Sequence, residues 1–270
     1  MDVTLGLTVM ARRDGDVQQA GFSKGALNDF AFVRQQHDEI RETAQRAVAF
    51  LDAPAVAGGE YTVVLDPVLA GVFVHEAFGH LSEADFVYEN PQAREMMTLG
   101  RRFGGSDLTI GDDGSAAALR GTLPYDDEGT PTRNTVLIQN GVLVGRLHSR
   151  ETAAKMQEAP TGNARALSFR HPPIVRMTNT YIASGTGTRD DLFRDIKLGI
   201  YACDAQGGQT YLEDFSFTAG HGYMIRDGRL AELVKDVVIA GNPFQTMDRT
   251  DRDAGDFQWN EMGGGCGKGG

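Results

Sequence analysis

Cysteine is scarce in this chain: 2 of 270 residues, Cys203 and Cys266, so no more than one disulfide can form. A chain of this length buries a core without cross-links, and sparse cysteine fits a reducing, cytoplasmic setting. Positive charge is also short, with 26 basic against 37 acidic residues and a net charge of −11. Such a surface binds phosphate poorly, which argues against nucleic acid or an anionic membrane as partner. No apolar run approaches the roughly 18 residues of a membrane-crossing helix. Met1-Asp2-Val3-Thr4 carries no basic segment leading into an apolar stretch, so no signal peptide is expected. A composition of 41% apolar and 23% charged residues excludes wholesale disorder.

Glycine is what the chain has in excess, at 34 residues. Glycine serves turns and close backbone approaches better than helices, so the expected fold is α+β, predominantly antiparallel and β-rich. Length alone favours one large domain or two modest ones. The small-residue stretch Ala53-Pro54-Ala55-Val56-Ala57-Gly58-Gly59 marks the expected boundary, dividing the chain into residues 1–55 and 56–270. Short strands are expected over residues 1–22, turning at Asp14-Gly15. A helix is expected over Asp29–Leu51, with Phe30, Val33, Ile40, Ala44, Val48 and Leu51 on its apolar face. Loops are expected from residue 80 to about 133. Asn140-Gly141 then predicts a hairpin between Thr135–Gln139 and Val142–Leu147. Further strands are expected over Ile174–Ile182, Leu198–Cys203, Thr210–Thr218 and Tyr223–Arg226, with a short helix over Asp190–Lys197.

One helix carries residues that its surroundings should not tolerate. Asp66 as N-cap and Pro67 at the first turn open it. From Val68 to Phe78 every residue is then apolar or glycine except His75 and Glu76. A helix apolar on all sides belongs in a core, where an unpaired carboxylate or imidazolium is costly. Either His75 and Glu76 form a core pair, or a metal ion satisfies them. His75, Glu76 and His80 read His-Glu-x-x-x-His, one residue longer than the zinc-peptidase spacing. On an ideal α-helix residues five apart point about 140° away from each other, which is poor for one ion. A π-bulge or a helix end at Gly79 would bring the two rings together. Far along the chain, Cys266 sits in the glycine-rich tail Gly263–Gly270, where a backbone can approach a site closely. Thiolate with imidazole is good zinc chemistry, and Lys268 is placed to favour the thiolate.

His75-Glu76-Ala77-Phe78-Gly79-His80-Leu81-Ser82-Glu83-Ala84-Asp85 resembles the metal-binding helix of the TldD/PmbA family of metallopeptidases. The resemblance continues through Asp126–Pro131, Thr161–Arg165, Arg176–Tyr181, Gly241-Asn242-Pro243 and Cys266-Gly267-Lys268-Gly269-Gly270, covering essentially the whole chain. It implies zinc held by His75, His80 and Cys266, with Glu76 as general base towards a zinc-activated water, as in the family's metal-bearing type. It implies hydrolysis of peptides or unfolded polypeptides, and a homodimer or a heterodimer with a PmbA-like subunit. Residues 1–55 would then be the end of an N-terminal α/β domain or a connecting segment, and 56–270 the peptidase domain. Most of that N-terminal domain and the stretch beyond the cysteine motif are expected to be missing from this chain. Glu83 and Asp85 are candidates to accept the second ring N–H of a ligand histidine, or are plain solvated carboxylates. His171 is a candidate for contact with the substrate. The alternative to a peptidase is a scaffold that binds a peptide or partner subunit without hydrolysing it.

Overall fold

The computed structural model describes residues 1–211, 214–250, 252–262 and 265–268. Gly263, Gly264, Gly269 and Gly270 of the glycine tail therefore lie outside the described residues, as do two positions of the expected Thr210–Thr218 strand.

The chain opens with a long antiparallel hairpin, β1 (Asp2–Arg13) and β2 (Asp16–Leu27). Asp14 and Gly15 turn it, both at positive φ, as a tight hairpin requires. The expected helix over Asp29–Leu51 is shorter. Asp29 caps only a 3-10 turn, Phe30–Val33, and Gln35 at φ 60° breaks the path before α1 (His37–Ala49) begins. The expected apolar face is corrected too, since Phe30 and Val48 are exposed. Ala47 is buried instead, packing with Ala20, Phe50 and Ala53 in a small cluster of its own.

β3 (Thr62–Leu65) leads through Asp66 into α2 (Pro67–Val74), as the Asp-Pro signal predicts. One carboxylate oxygen of Asp66 accepts from Leu69 N–H at 2.7 Å, and the other accepts from Asp204 N–H at 3.0 Å. That single side chain both caps the helix and ties it to the neighbouring strand. The stretch expected to be loop contains two short helices, α3 (Ala84–Glu89) and α4 (Pro91–Met96), and β4 (Ile110–Asp113). Asn90 caps the second of these by accepting from Gln92 and Ala93 N–H, ahead of Pro91, a start signal too short to show periodicity.

β5 (Asn134–Gln139) and β6 (Val142–Leu143) form the Asn140-Gly141 hairpin, with a shorter second strand than expected. Then come α5 (Arg150–Met156), β7 (Ala164–Arg165), β8 (Ile174–Val175), β9 (Thr180–Ile182) and α6 (Arg189–Phe193). The chain closes with β10 (Leu198–Tyr211), β11 (Asp214–Arg226), β12 (Arg229–Val234), β13 (Val238–Gly241) and α7 (Pro243–Asp248). β10 does not end at Cys203. It continues through a bulge between Ala205 and Gly207, which places Thr210 on β10 rather than on the next strand.

Among the described residues the largest sheet runs β12-β11-β10-β3, with β13 also on β11; only the β3–β10 pairing in it is parallel. A second antiparallel sheet runs β6-β5-β4-β9. α2 packs against β10, β11 and β9, so both sheets share one core through it. Phe73 meets Phe215 and Phe217 at ring-centroid distances of 6.0 and 6.1 Å, and those two rings stack on each other. The α+β, largely antiparallel architecture built around an apolar helix matches the expectation from composition. No helix among the described residues is long and apolar enough to cross a membrane.

Asp112 on β4 is 1% exposed and organises the segment beneath the helix. Its carboxylate accepts from Thr178 N–H, Thr178 Oγ1, Thr180 Oγ1 and Asn163 Nδ2. Replacement by alanine strands these donors in the core. Asp112→Ala should cost about 2–4 kcal/mol of unfolding free energy, read by urea denaturation. A loss below about 0.5 kcal/mol would show that water takes over the role.

Candidate metal centre

α2 ends in a single wide turn, His75–Gly79, of π geometry. His80 N–H donates to His75 carbonyl oxygen, five residues back. An i→i+5 bond sets His80 over His75, so the extra residue in the spacing is absorbed by a π turn rather than by a helix end. A 3-10 turn, His80–Ser82, follows. Gly79 is required for packing at this point. A Cβ there would collide with the Met177 sulfur, and Met177 is 4% exposed with little room to move.

The two imidazoles meet edge to face with centroids 4.8 Å apart. Cys266, 186 residues downstream of His80, brings Sγ to 3.2 Å from His80 Nε2. One ligand atom from each of His75, His80 and Cys266 lies within 4.8 Å of the others. Neighbouring ligands around a tetrahedral zinc stand roughly 3.3–3.8 Å apart, so the set needs only slight closure. His75 Nε2 is buried with no hydrogen-bond partner, a donor set left incomplete inside a core. Two imidazole nitrogens and one thiolate sulfur fit a zinc ion, and the unpartnered ring nitrogen of His75 is a group that such an ion would satisfy.

Electrostatics prepare the same three groups. Burial opposes a charged Cys266, but the two imidazoles beside it prevail and lower its pKa to about 5. Burial likewise opposes a charged His80, yet Cys266 and Glu83 raise its pKa to about 9. The histidines, not Lys268, therefore stabilise the thiolate.

Lys268 has a different task. Its Nζ reaches both oxygens of Asp85 at 2.8 Å, Glu83 Oε2 at 2.9 Å and Val175 carbonyl oxygen at 3.2 Å. These contacts fasten the tail, and so Cys266, to the segment that follows the wide turn. Arg176 helps by donating from Nη2 to Cys266 carbonyl oxygen at 3.0 Å. Glu83, 1% exposed, sits with Oε2 3.4 Å from His80 Nδ1 and so orients that ring with Nε2 towards the centre. Asp85 reaches no ligand histidine. It accepts from Val175 N–H and anchors Lys268. His171 lies in an exposed loop beside Ser168 and does not line the cavity at the centre.

Glu76 is buried, with Oε2 4.0 Å from His80 Nε2. The Thr210 hydroxyl lies 2.7 Å from both that oxygen and Glu76 carbonyl oxygen, fixing the side chain. β10 comes close enough for this because Gly208 has no side chain: a Cβ there would stand 3.0 Å from Glu76 Cγ. Reading β10 as ending at Cys203 hides both residues, and only the Gly207-Gly208 pair signals a close approach. The whole group opens onto a cavity of about 2490 Å³.

Residues 58–268 match the model of the PmbA/TldA metallopeptidase C-terminal domain. The chain is 49% identical over its whole length to a metalloprotease of Synechocystis sp., and spans 58% of that protein. It is 34% identical to a zinc metalloprotease TldD homolog of Saccharolobus solfataricus, over 94% of the chain and 57% of the relative. Among solved structures, TldE from Thermococcus kodakarensis superposes with a TM-score of 0.75 at 18% identity, over 94% of this chain and 57% of that one. The chain thus spans little more than half the length of these relatives. With its fold, its family match over 58–268 and these relatives in agreement, the chain belongs to the PmbA/TldA metallopeptidase family.

Proposed function

We propose that this chain carries the zinc centre of a peptidase acting on peptides or unfolded polypeptides, with His75, His80 and Cys266 as ligands and Glu76 as general base. The observation that carries the reading is the meeting of those three ligand atoms within 4.8 Å beside a buried carboxylate. Zinc, when bound, supplies a Lewis acid that makes water nucleophilic near neutral pH and polarises the scissile carbonyl. Glu76, held by Thr210, faces the ligand side of His80, where it can take a proton from the attacking water and pass it to the leaving amine. Glu83 keeps His80 in the orientation that leaves Nε2 free to coordinate. The cavity admits an extended chain, and edge strand β3 lines it, offering backbone pairing that reads no particular side chain. The whole protein is proposed to be cytoplasmic and to work as a homodimer or with a PmbA-like subunit, in proteolysis or peptide maturation.

Elemental analysis beside turnover of an unfolded polypeptide tests the assignment. The chain should hold close to one zinc, Cys266→Ala should lose it, and Glu76→Gln should keep it while turnover falls by about 10²–10⁴. A Glu76→Gln protein that retains zinc and full turnover would leave a binding scaffold with an unrelated activity. Lys268→Met, which frees the tail, should weaken zinc binding by about 10–100-fold.

Zinc uptake should also report the protonation of the centre. His80 holds a proton up to about pH 9, while Cys266 is a thiolate above about pH 5. Coordination requires thiolate and neutral imidazole, so loading between pH 6 and 8 displaces the His80 proton and none from Cys266. Apparent affinity should therefore rise about tenfold per pH unit in that window and flatten towards pH 9. Calorimetry in buffers of different ionisation enthalpy should read at least one proton released per zinc, and no release would remove His80 from the ligand set.

A further inference from the structure

Two arginines in the cavity wall lack the anion that their setting calls for. β7 and β8 form a short antiparallel ladder in which Ala164 faces Val175 and Arg165 faces Ile174; it extends one step further through Arg176 N–H to Asn163 carbonyl oxygen at 2.8 Å. Arg165 and Arg176 are thus diagonal neighbours across the ladder, within reach of one another for long side chains. Both line the cavity that holds His75, Glu76, His80 and Cys266.

Arg176 is 4% exposed. Of its donors only Nη2 is engaged, on Cys266 carbonyl oxygen, while Nε and Nη1 are buried with no partner. Arg165 stands open to the cavity and makes no side-chain hydrogen bond or ion pair among the described residues. Loss of water against the wall, and after it repulsion from Arg176, hold the Arg165 pKa below its ordinary value. A buried guanidinium is normally paired, and Arg176, with two orphaned donors and a second cation beside it on the open side of the cavity, is short of an anion. Of the acids around them, Glu83 gives Oε2 to His80 and Lys268 and keeps Oε1 buried without a partner, Asp85 is held by Lys268, and Asp127 accepts from Ala166 N–H; none of them hydrogen-bonds either arginine. Cys266, Glu83 and Asp127 act on Arg165 only at a distance, and a cation bound by Cys266 would neutralise the first of them.

We propose that Arg165 and Arg176 form a carboxylate-binding subsite beside the metal centre, which selects peptides carrying a free carboxylate close to the bond that is cut. Arg176 touches the backbone of Cys266 itself, so the carboxylate sits within a residue or two of the reacting group. The planar fork of arginine suits a carboxylate held through two parallel hydrogen bonds. The carboxylate comes either from the peptide's own C-terminus or from an aspartate or glutamate side chain. Substrate selection rests on the peptidase reading, whereas carboxylate binding by the arginine pair does not.

The test therefore begins with binding to the metal-free full chain. Isothermal titration with N-acetyl-Ala-Ala and with its C-terminal amide should show at least tenfold preference for the acid. Arg165→Met, which removes no contact that holds the tail, should reduce that preference below threefold and leave zinc content unchanged; Arg165→Lys should restore part of it. Amidated peptides carrying Glu or Gln at the penultimate position identify the second source, and a Glu preference that Arg165→Met abolishes supports the subsite equally. On the zinc-loaded protein the same preferences should appear in kcat/KM. Equal binding of acid and amide, together with equal binding of Glu and Gln peptides, would overturn the subsite even if turnover is intact. Preserved discrimination without turnover would instead overturn the peptidase and leave the subsite standing.

Discussion

The structure depends on one wide helical turn inside an apolar core. An α-helical path through His75–Gly79 would send His80 to a different face from His75, and no later adjustment of side chains could make up the angle. The π turn adds one residue to the circuit and brings the two rings edge to face, with centroids 4.8 Å apart. Such turns are uncommon because they give up regular helical packing, so the surroundings must hold this one. Asp66 fixes the helix start against β10, Phe73 packs across two phenylalanines that stack on each other, and Met177 fills the space that Gly79 leaves.

The second requirement is to bring Cys266 back across almost two hundred residues. A glycine-rich tail has no core of its own to secure it, and ordering each residue costs about 1–2 kcal/mol of backbone entropy. Ion pairing meets that cost locally. Lys268 docks between Asp85 and Glu83, and Arg176 takes the Cys266 carbonyl. Glu83 is the meeting point, since one oxygen serves both the lysine that fastens the tail and the imidazole that faces the thiolate. Assembly of the ligand set and orientation of its central histidine are thereby coupled through one buried carboxylate. The cavity wall beside it carries Arg165 and Arg176 next to these carboxylates, so the chain's net negative charge does not describe its lining.

Much of this was legible in the sequence where the signals are local. Asp66-Pro67 marked a helix start, Asp14-Gly15 and Asn140-Gly141 marked hairpins, and histidine and glutamate in an otherwise apolar run marked groups in need of a partner. The apolar spacing between Asp29 and Leu51 was misleading, because Gln35 leaves the helical region and a break of one residue resets the face on which every later side chain lies. The strand carrying Thr210 was hidden because β10 passes through a bulge between Ala205 and Gly207 and runs on past Glu76, where an unbroken apolar alternation was missing.

By itself the sequence determined the chemistry available: two imidazoles and a carboxylate on an apolar helix, a thiol among glycines, and two hairpin turns whose residues tolerate positive φ. These follow from side-chain identity and from backbone preferences that act over a few residues. Only the tertiary structure decided that the long His-Glu-x-x-x-His spacing closes through a π turn, that Lys268 anchors rather than activates, that Asp85 holds the tail instead of a histidine, and that Arg165 and Arg176 face one cavity. Each depends on what packs against the residue from elsewhere in the chain. Contacts such as that between Cys266 and His80, 186 positions apart, are set by the burial and charge of whole elements and leave no periodic trace along the sequence.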